Sequence, residues 1–328
     1  MKSILAAILF ASAAFSQTGT VSAESPVLGM LNYIHATNNL DTTLAFYHDV
    51  FGLDAPAPRP LLSPGVPALT NSPGVKLRLS TLHFPNTVFG FELTEFSNVD
   101  RKPGQPRHTD PGAALIALRV KDMTPVLAAI KKLKTPIITT SGAPVTLDTP
   151  SGKIRSMLIR DPDGYVIEVV ESKPAVGTDA PGNVFGATMG LTVADMDATI
   201  KFYHGLLGFD VKGNMEFASN PAILDMTGAP HAKNREMTAL VPGTKALIAF
   251  YEYQGIERTP FHLRVPDPGA PAIALHVKDL DGLLKRMRAA GVVVTSAHGE
   301  VAQFSPTIRN VFVEDPNGLN IELFENTQ

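Results

Sequence analysis

Two glutamates stand inside apolar segments, each at the same distance from an acidic turn. In RDPDGYVIEVVE, Glu168 follows the DPDG turn, and in EDPNGLNIELFE, Glu322 follows DPNG in the same way. Both segments have the composition of packed β-strands, in which an unpaired charge is costly. A carboxylate placed there twice is therefore a candidate for binding or for chemistry.

The two turns belong to a repeat that covers most of the chain. NNLDTTLAFYHDVFGLDA from Asn38 matches ADMDATIKFYHGLLGFDV from Ala194, and DPGAALIALRVKDM from Asp110 matches DPGAPAIALHVKDL from Asp267. These blocks and the turns keep nearly the same spacing. The sequence therefore predicts two copies of one domain, 27–172 and 184–328, joined by a Pro- and Gly-containing linker at 173–183.

Each copy reads as two similar halves, with the order strand, helix, strand, strand, strand. In the first half, NNLD predicts a capped helix start, and apolar residues at Leu44, Tyr47 and Phe51 have helical spacing. Gly52 and Gly208 stand where a helix would end at a left-handed residue. The pattern predicts an α+β fold built from paired βαβββ modules.

Composition excludes several classes of function. The 328 residues carry a net charge of −3 and no dense basic stretch, so neither nucleic acid nor an anionic membrane is an expected partner. The chain has no cysteine, which excludes disulfides, thiol nucleophiles and thiolate metal ligands. P-loop, dinucleotide-binding and serine-hydrolase motifs are also missing from the sequence.

The N-terminus MKSILAAILFASAAFSQ has the pattern of a secretory signal peptide, which we assign to residues 1–23. Its apolar run of about a dozen residues is shorter than the roughly 20 that a membrane-spanning helix needs. The expected location is therefore secreted or periplasmic, with no membrane attachment after cleavage.

The repeated blocks resemble the vicinal oxygen chelate superfamily, which includes glyoxalase I, extradiol dioxygenases and bleomycin-resistance proteins. The resemblance rests on FYHDVFGL and FYHGLLGF and on DPDGYVIEVVE and DPNGLNIELFE. It implies mixed sheets that curl into cups. It also implies one divalent metal (Mn, Fe, Co, Ni or Zn), held by first-strand residues, often His or Gln, and by last-strand glutamates.

Transferring the family's ligand positions to this sequence gives an incomplete set. In copy one they fall on Asn32, Glu92, Leu115 and Glu168, and in copy two on Thr188, Ala249, Ala272 and Glu322. No histidine stands at any of these positions, so the resemblance implies a degenerate site. A metal in domain 1 would use Glu92, Glu168 and Asn32, joined by His35 if a bulge turned that side chain into the cup. Regular alternation instead makes His35 a buried, hydrogen-bonded residue.

Arg119 and His276 occupy equivalent positions, four residues after the missing ligand of each second half, and alternation places both on the cup side. Arg119 could pair with a carboxylate or phosphate of a substrate. His276 is a candidate catalytic acid or base, and Glu322 a candidate substrate-binding group. The alternative for Arg119 and His276 is that they are solvated residues at strand ends.

Two classes of function remain open from the sequence. The preferred one is an exported protein that binds a small organic molecule in a cup with a degenerate metal site. The alternative is a metal-dependent lyase, isomerase or dioxygenase that uses domain 1. In a third reading, copy two is a structural partner of copy one. The expected partner is a small-molecule ligand, and the expected assembly is a monomer with internally paired domains or a homodimer.

Overall fold

The computed structural model describes residues 25–149, 152–173 and 180–327. The predicted signal peptide and most of the predicted linker lie outside these residues. Two eight-stranded mixed sheets and a few helices make up the described part of the chain. This confirms the predicted α+β fold. None of the helices within these ranges is long and apolar enough to cross a membrane.

The first sheet, sheet A, takes strands from both ends of the chain. Its strands are β1 (Val27–Ala36), β2 (Arg59–Pro60), β3 (Lys76–His83), β4 (Gly90–Ser97), β13 (Pro271–Val277), β14 (Ala302–Ser305), β15 (Ile308–Glu314) and β16 (Asn320–Asn326). From edge to edge the order is β14-β15-β16-β13-β1-β4-β3-β2.

The second sheet, sheet B, takes the middle of the chain. Its strands are β5 (Ala114–Val120), β6 (Val145–Thr149), β7 (Gly152–Arg160), β8 (Val166–Lys173), β9 (Val184–Thr192), β10 (Asp210–Gly213), β11 (Lys233–Leu240) and β12 (Leu247–Gln254). The order is β10-β11-β12-β9-β5-β8-β7-β6.

Neither sheet follows the boundaries of a sequence repeat. Sheet A joins the first half of copy one to the second half of copy two, and sheet B joins the two remaining halves. The seams are antiparallel pairs, β1 with β13 and β5 with β9, in which Asn32 lies opposite Ala274 and Thr188 lies opposite Ala117. Each sheet is therefore complete only when both copies contribute to it.

The helices lie on the faces of the sheets, and two of them end as the sequence predicts. They are α1 (Leu40–Phe51), α2 (Val66–Leu69), α3 (Thr124–Leu133), α4 (Met196–Ile200), which continues as a π-helix over Lys201–Leu206, α5 (Pro221–Thr227) and α6 (Leu280–Ala289). Asn39 caps α1 by accepting a hydrogen bond from the Thr42 backbone N–H. Gly52 (φ 66°) and Gly208 (φ 75°) adopt the left-handed conformation that ends a helix.

Alternation along the strands divides their side chains between two environments. One face of each sheet packs, together with the helices, into a shared central core that includes Tyr33, Phe91, Ile116 and Leu191. The other face of each sheet lines a separate apolar cluster. We call these two faces cup A, on sheet A, and cup B, on sheet B.

Candidate active site

Cup A brings together two carboxylates, one from each copy of the repeat. Glu92 lies on β4 beside Ile34 of β1, and Glu322 lies on β16 beside Ala274 of β13. Asn32, two residues before Ile34, is on the same face. Asn32, Glu92 and Glu322 are all half-buried on the floor of the cup.

Each carboxylate is held by one asparagine amide. Asn32 Nδ2 donates to Glu92 Oε2 over 2.9 Å, and Asn310 Nδ2 of β15 donates to Glu322 Oε1 over 2.7 Å. The Oδ1 atom of Asn310 is buried and has no hydrogen-bond partner among the described residues. Unpaired polar atoms in cup A are thus mainly acceptors, which favours a ligand that donates hydrogen bonds.

Burial raises the pKa of both carboxyl groups. The pKa of Glu92 rises to about 7, first because it is buried and second because Glu322 carries a like charge, while Arg59 and Asn32 oppose the rise. Burial also raises the pKa of Glu322, with the Asn310 hydrogen bond acting in the opposite direction. Near neutral pH the pair can therefore hold a proton, which suits proton transfer as well as binding.

The walls of cup A are apolar and partly aromatic. Ile34, Ala272 and Ala274 form the middle of the floor, and α2 covers one end through Leu69. At the other end the His276 ring stacks on Phe324, with ring centroids 5.0 Å apart and an interplanar angle of 10°. His276 is half-buried there, two positions along β13 from Ala274 and on the same face.

Glu168 lies in the other cup, and the structure therefore does not bring it together with Asn32 and Glu92. On sheet B its neighbours at the corresponding positions are Leu115, Thr188 and Ala249. The prediction that Asn32, Glu92 and Glu168 form one site within domain 1 is therefore wrong. Each cup takes one half from each copy, so copy one supplies only half of either cup. The ligand positions of cup A are Asn32, Glu92, Ala272 and Glu322.

Cup B is filled around Glu168. Helix α5 places Ile223 and Met226 against Leu115 and Leu158, leaving a cavity of about 10 Å³, the size of roughly one water molecule. Glu168 is 2% exposed and accepts a hydrogen bond from Ser156 Oγ over 2.6 Å. Burial raises its pKa to about 7, against the effects of Ser156 and Arg119.

His35 points away from both cups, on the core face that regular alternation predicts. It is fully buried, and its Nε2 lies 3.0 Å from Asp161 Oδ2 and 3.6 Å from Asp163 Oδ2. Its placement in a metal site with Glu92 and Glu168 is corrected by this orientation. The ligand atoms of His35, Asp161 and Asp163 lie within 4.8 Å of one another, close enough to hold one metal ion.

The second copy shows what this cluster does without a histidine. There Leu191 replaces His35 and Asn317 replaces Asp163. Asn317 Nδ2 donates to Asp315 Oδ2 over 3.0 Å, the bond that His35 makes to Asp161 in copy one. The turn keeps its other bonds to the helix in both copies. The cluster is therefore accounted for as an ion pair that fastens the DPDG turn, with no metal required.

The donor set of cup A does not fit a nitrogen-rich transition-metal site. The four positions offer two carboxylates, one amide and one alanine, and no imidazole. The oxygens of Glu92, Glu322, Asn32 and Asn310 would suit a hard divalent cation such as Ca²⁺ or Mg²⁺. Such an ion would neutralise the two carboxylates and polarise an oxygen of a bound molecule.

A family model for the Glyoxalase/Bleomycin resistance protein/Dioxygenase superfamily matches residues 30–169 and 186–323. The chain belongs to this superfamily. Its members often bind a divalent metal in a small-molecule site. No curated protein sequence matches the chain significantly.

Several solved structures are similar to this chain in fold. Glyoxalase I from Zea mays has 19% sequence identity and a TM-score of 0.57, with 91% of this chain and 92% of that chain covered. A single-substitution variant of the Zea mays enzyme gives 20% identity and a TM-score of 0.58, with 91% and 92% covered. A putative dioxygenase from Bacillus subtilis has 13% sequence identity and a TM-score of 0.55, with 93% of this chain and 87% of that chain covered. At these identities the likeness shows the fold alone.

Sequence reasoning missed Asn310 and Ser156, the residues that bond the two last-strand glutamates. Asn310 pairs across sheet A with Phe324, and Ser156 pairs across sheet B with Val170, one diagonal step from each glutamate. A signal existed: both lie on the strand before an acidic turn, at corresponding positions of the repeat. Only the strand register shows that these positions face the glutamates.

Proposed function

We propose that the protein acts after export and binds a small organic molecule in cup A, with Glu92 and Glu322 as the polar floor. One observation carries the proposal. Cup A has two half-buried carboxyl groups on its floor, whereas the corresponding Glu168 in cup B is 2% exposed beneath α5. A concave, mostly apolar surface with a few convergent polar groups is the usual form of a small-molecule site.

The residues of cup A define the chemistry of the ligand. Ala272 and Ala274 are small buried residues in the middle of the floor, and Phe312 and Phe324 add aromatic side chains. The free oxygens of Glu92 and Glu322 accept hydrogen bonds. The ligand that fits has an apolar or aromatic body and an end that donates hydrogen bonds, such as an ammonium or a hydroxyl group.

A metal-dependent lyase, isomerase or dioxygenase is the second candidate for the same cup. It is favoured by the oxygen ligands described above and by a carboxyl group, Glu92, whose pKa of about 7 suits a general acid or base. His276, at the open end of the cup, is positioned to contact a bound molecule. In this candidate Glu92 and Glu322 hold the ion or move a proton, and the aromatic wall orients the substrate.

The test compares one glutamate of cup B with the two of cup A. Binding of benzylamine to the mature chain is measured by calorimetry for wild type, Glu92→Gln, Glu322→Gln and Glu168→Gln. We expect each cup A variant to weaken binding by about 1.5–3 kcal/mol, because it removes a charge-assisted hydrogen bond. The Glu168→Gln control should bind as wild type does. An equal loss of benzylamine binding in all three variants, or no benzylamine binding by any of the four proteins, would refute the proposal.

Metal content separates the two candidates. The protein is purified with Mn²⁺, Zn²⁺, Ca²⁺ and Mg²⁺ supplied in turn, and bound metal is measured by mass spectrometry. Stoichiometric metal that is lost in Glu92→Gln and Glu322→Gln but retained in Glu168→Gln, together with glyoxalase I activity, would favour the enzyme. No bound metal, with a stable fold and intact ligand binding, would favour the binding protein.

A further inference from the structure

Cup B has an arginine at the position where cup A has a histidine. Arg119 lies on β5 on the cup face, half-buried, at the position that His276 occupies in cup A. Among the described residues its guanidinium makes no hydrogen bond and no ion pair within 4.0 Å. Its interaction with Glu168 is only a longer-range attraction. A guanidinium carries five donors, so leaving all of them without a protein partner in a half-buried position is unusual.

A second unpartnered donor stands next to Arg119. Thr188 lies on β9 on the same face, half-buried, and its hydroxyl also makes no hydrogen bond within the described part of the chain. Thr188 pairs with Ala117 and Arg119 pairs with Gly186, so the two side chains are diagonal neighbours across the seam. A Cβ added to Gly186 would lie 3.7 Å from Arg119 Cδ and 3.8 Å from the Pro85 carbonyl oxygen, both ordinary van der Waals distances, so the arginine stem packs beside this glycine.

Helix α5 does not cover this end of the cup. It packs over Leu115, near the start of β5, and Arg119 is four residues further along the strand, roughly 13 Å away. The side chains beside Arg119 are apolar and buried: Val170 opposite it on β8 is 2% exposed and Ile154 on β7 is 5% exposed, and the partly buried Val145 packs against the same cluster. This end of the cup therefore combines two hydrogen-bond donors, one of them cationic, with the edge of an apolar cluster.

We propose that the open end of cup B is a second binding site, which takes the carboxylate of a small organic acid on Arg119 and Thr188. The guanidinium donates hydrogen bonds to the two carboxylate oxygens in the forked geometry that arginine favours, and the Thr188 hydroxyl donates to one of them. The apolar body of the acid lies against the edge of this apolar cluster. The two cups then select ligands of opposite charge.

The other ionisable groups of cup B permit an anion at mildly acidic pH. Burial raises the pKa of Glu168 to about 7, and burial together with the charge of Glu168 raises that of Glu236 to about 8. Burial lowers the pKa of His108 to about 4, so its ring is neutral. At pH 6 Arg119 is thus the charged group that dominates this cup.

The test uses benzoate as the probe, titrated at pH 6 into the mature chain. We expect one benzoate site, weakened about 10- to 100-fold by Arg119→Met because a charge-assisted pair is lost. Arg119→Lys, which keeps the charge without the fork, should bind benzoate between these extremes. The control is Lys153→Met, which removes a cation on β7 whose side chain is 71% exposed. This variant should bind benzoate as wild type does.

Two further arms complete the test. Glu92→Gln and Glu322→Gln should leave benzoate binding unchanged, so failure of this site is separable from failure of cup A. Inorganic phosphate should bind at least tenfold more weakly than benzoate, because it has no apolar body for the wall. Equal benzoate binding by wild type and Arg119→Met, or none by folded wild type, overturns the proposal. Equal binding of phosphate overturns the assignment of an organic acid.

Discussion

Replacing His35 by leucine should strongly destabilise the protein, and a second substitution should rescue most of the loss. His35 is fully buried between Asp161 and Asp163. Without its ring, two buried carboxylates lose their cation. Removing one partner of a buried ion pair costs about 3–5 kcal/mol. We expect a loss of this size for His35→Leu.

The rescuing change is Asp163→Asn, which recreates the arrangement of the second copy. There Leu191 and Asn317 stand at these positions, and the asparagine amide donates to Asp315 as His35 donates to Asp161. Alone, Asp163→Asn should cost about 1–2 kcal/mol, since it weakens the bonds from Thr43 and the Asn38 backbone. In the double variant Asp161 is the carboxylate that remains in the cluster, as Asp315 is in copy two. The free energy of unfolding of the double variant should therefore lie within about 2 kcal/mol of that of wild type.

Urea unfolding followed by circular dichroism at pH 7 measures the four members of this cycle. The expected coupling is about 3 kcal/mol, because the double variant avoids the unpaired second carboxylate. A double variant whose loss equals the sum of the single losses would show that His35 does not compensate Asp163. Such a result would also reopen the cluster as a metal site. Addition of EDTA to wild type is the control, and it should leave the unfolding midpoint unchanged.

His35 should also make the stability of the protein depend on pH. Burial alone would lower the His35 pKa, but Asp161 and Asp163 together outweigh burial and raise it to about 9. The protonated His35 therefore contributes about 3 kcal/mol to the free energy of unfolding, in full below pH 6.5, and this contribution is lost as pH rises through 9. Urea unfolding of His35→Leu/Asp163→Asn should not show this loss. Glu168 should destabilise the fold at high pH, because burial raises its pKa to about 7; the penalty is absent below pH 4.5 and complete, at about 3 kcal/mol, above pH 7. Glu168→Gln should accordingly match wild type at pH 4.5 and exceed it at pH 8 in urea unfolding, and equal stability at both pH values would contradict this. Gly112→Ala should lower the free energy of unfolding by several kcal/mol, because the added Cβ would lie 2.0 Å from the Phe261 carbonyl oxygen and the residue has φ +89°. The control is Gly142→Ala, at φ +69° with nothing within 4 Å of the added Cβ. It should lose only about 1–2 kcal/mol in the same measurement.

The sequence was sufficient for the modules and insufficient for their partners. Local signals predicted the helix from Leu40, its end at Gly52 and the strand that carries Glu168, because capping and periodicity act over a few residues. Alternation correctly placed His35 on the core face. These features depend on neighbours in the chain, which a sequence displays directly.

The choice of which halves share a sheet depends on the contact between β1 and β13, which are separated by more than 230 residues of chain. Both copies have equivalent first strands, so local pattern cannot distinguish pairing within a copy from pairing between copies. The difference decides the site, because it gives Glu92 the neighbour Glu322 instead of Glu168. The ligand positions were thus predicted one by one, and their grouping was not.

The exchange of halves also has a consequence for how such a protein can change over time. In a dimer of identical single-copy chains, every substitution would appear in both cups at once. In this chain Ala249 and Glu92 occupy equivalent positions and yet belong to different cups. One cup could lose a carboxylate, gain an arginine and be closed by a longer helix while the other stayed open. Two copies in one chain therefore allow the two cups to specialise independently.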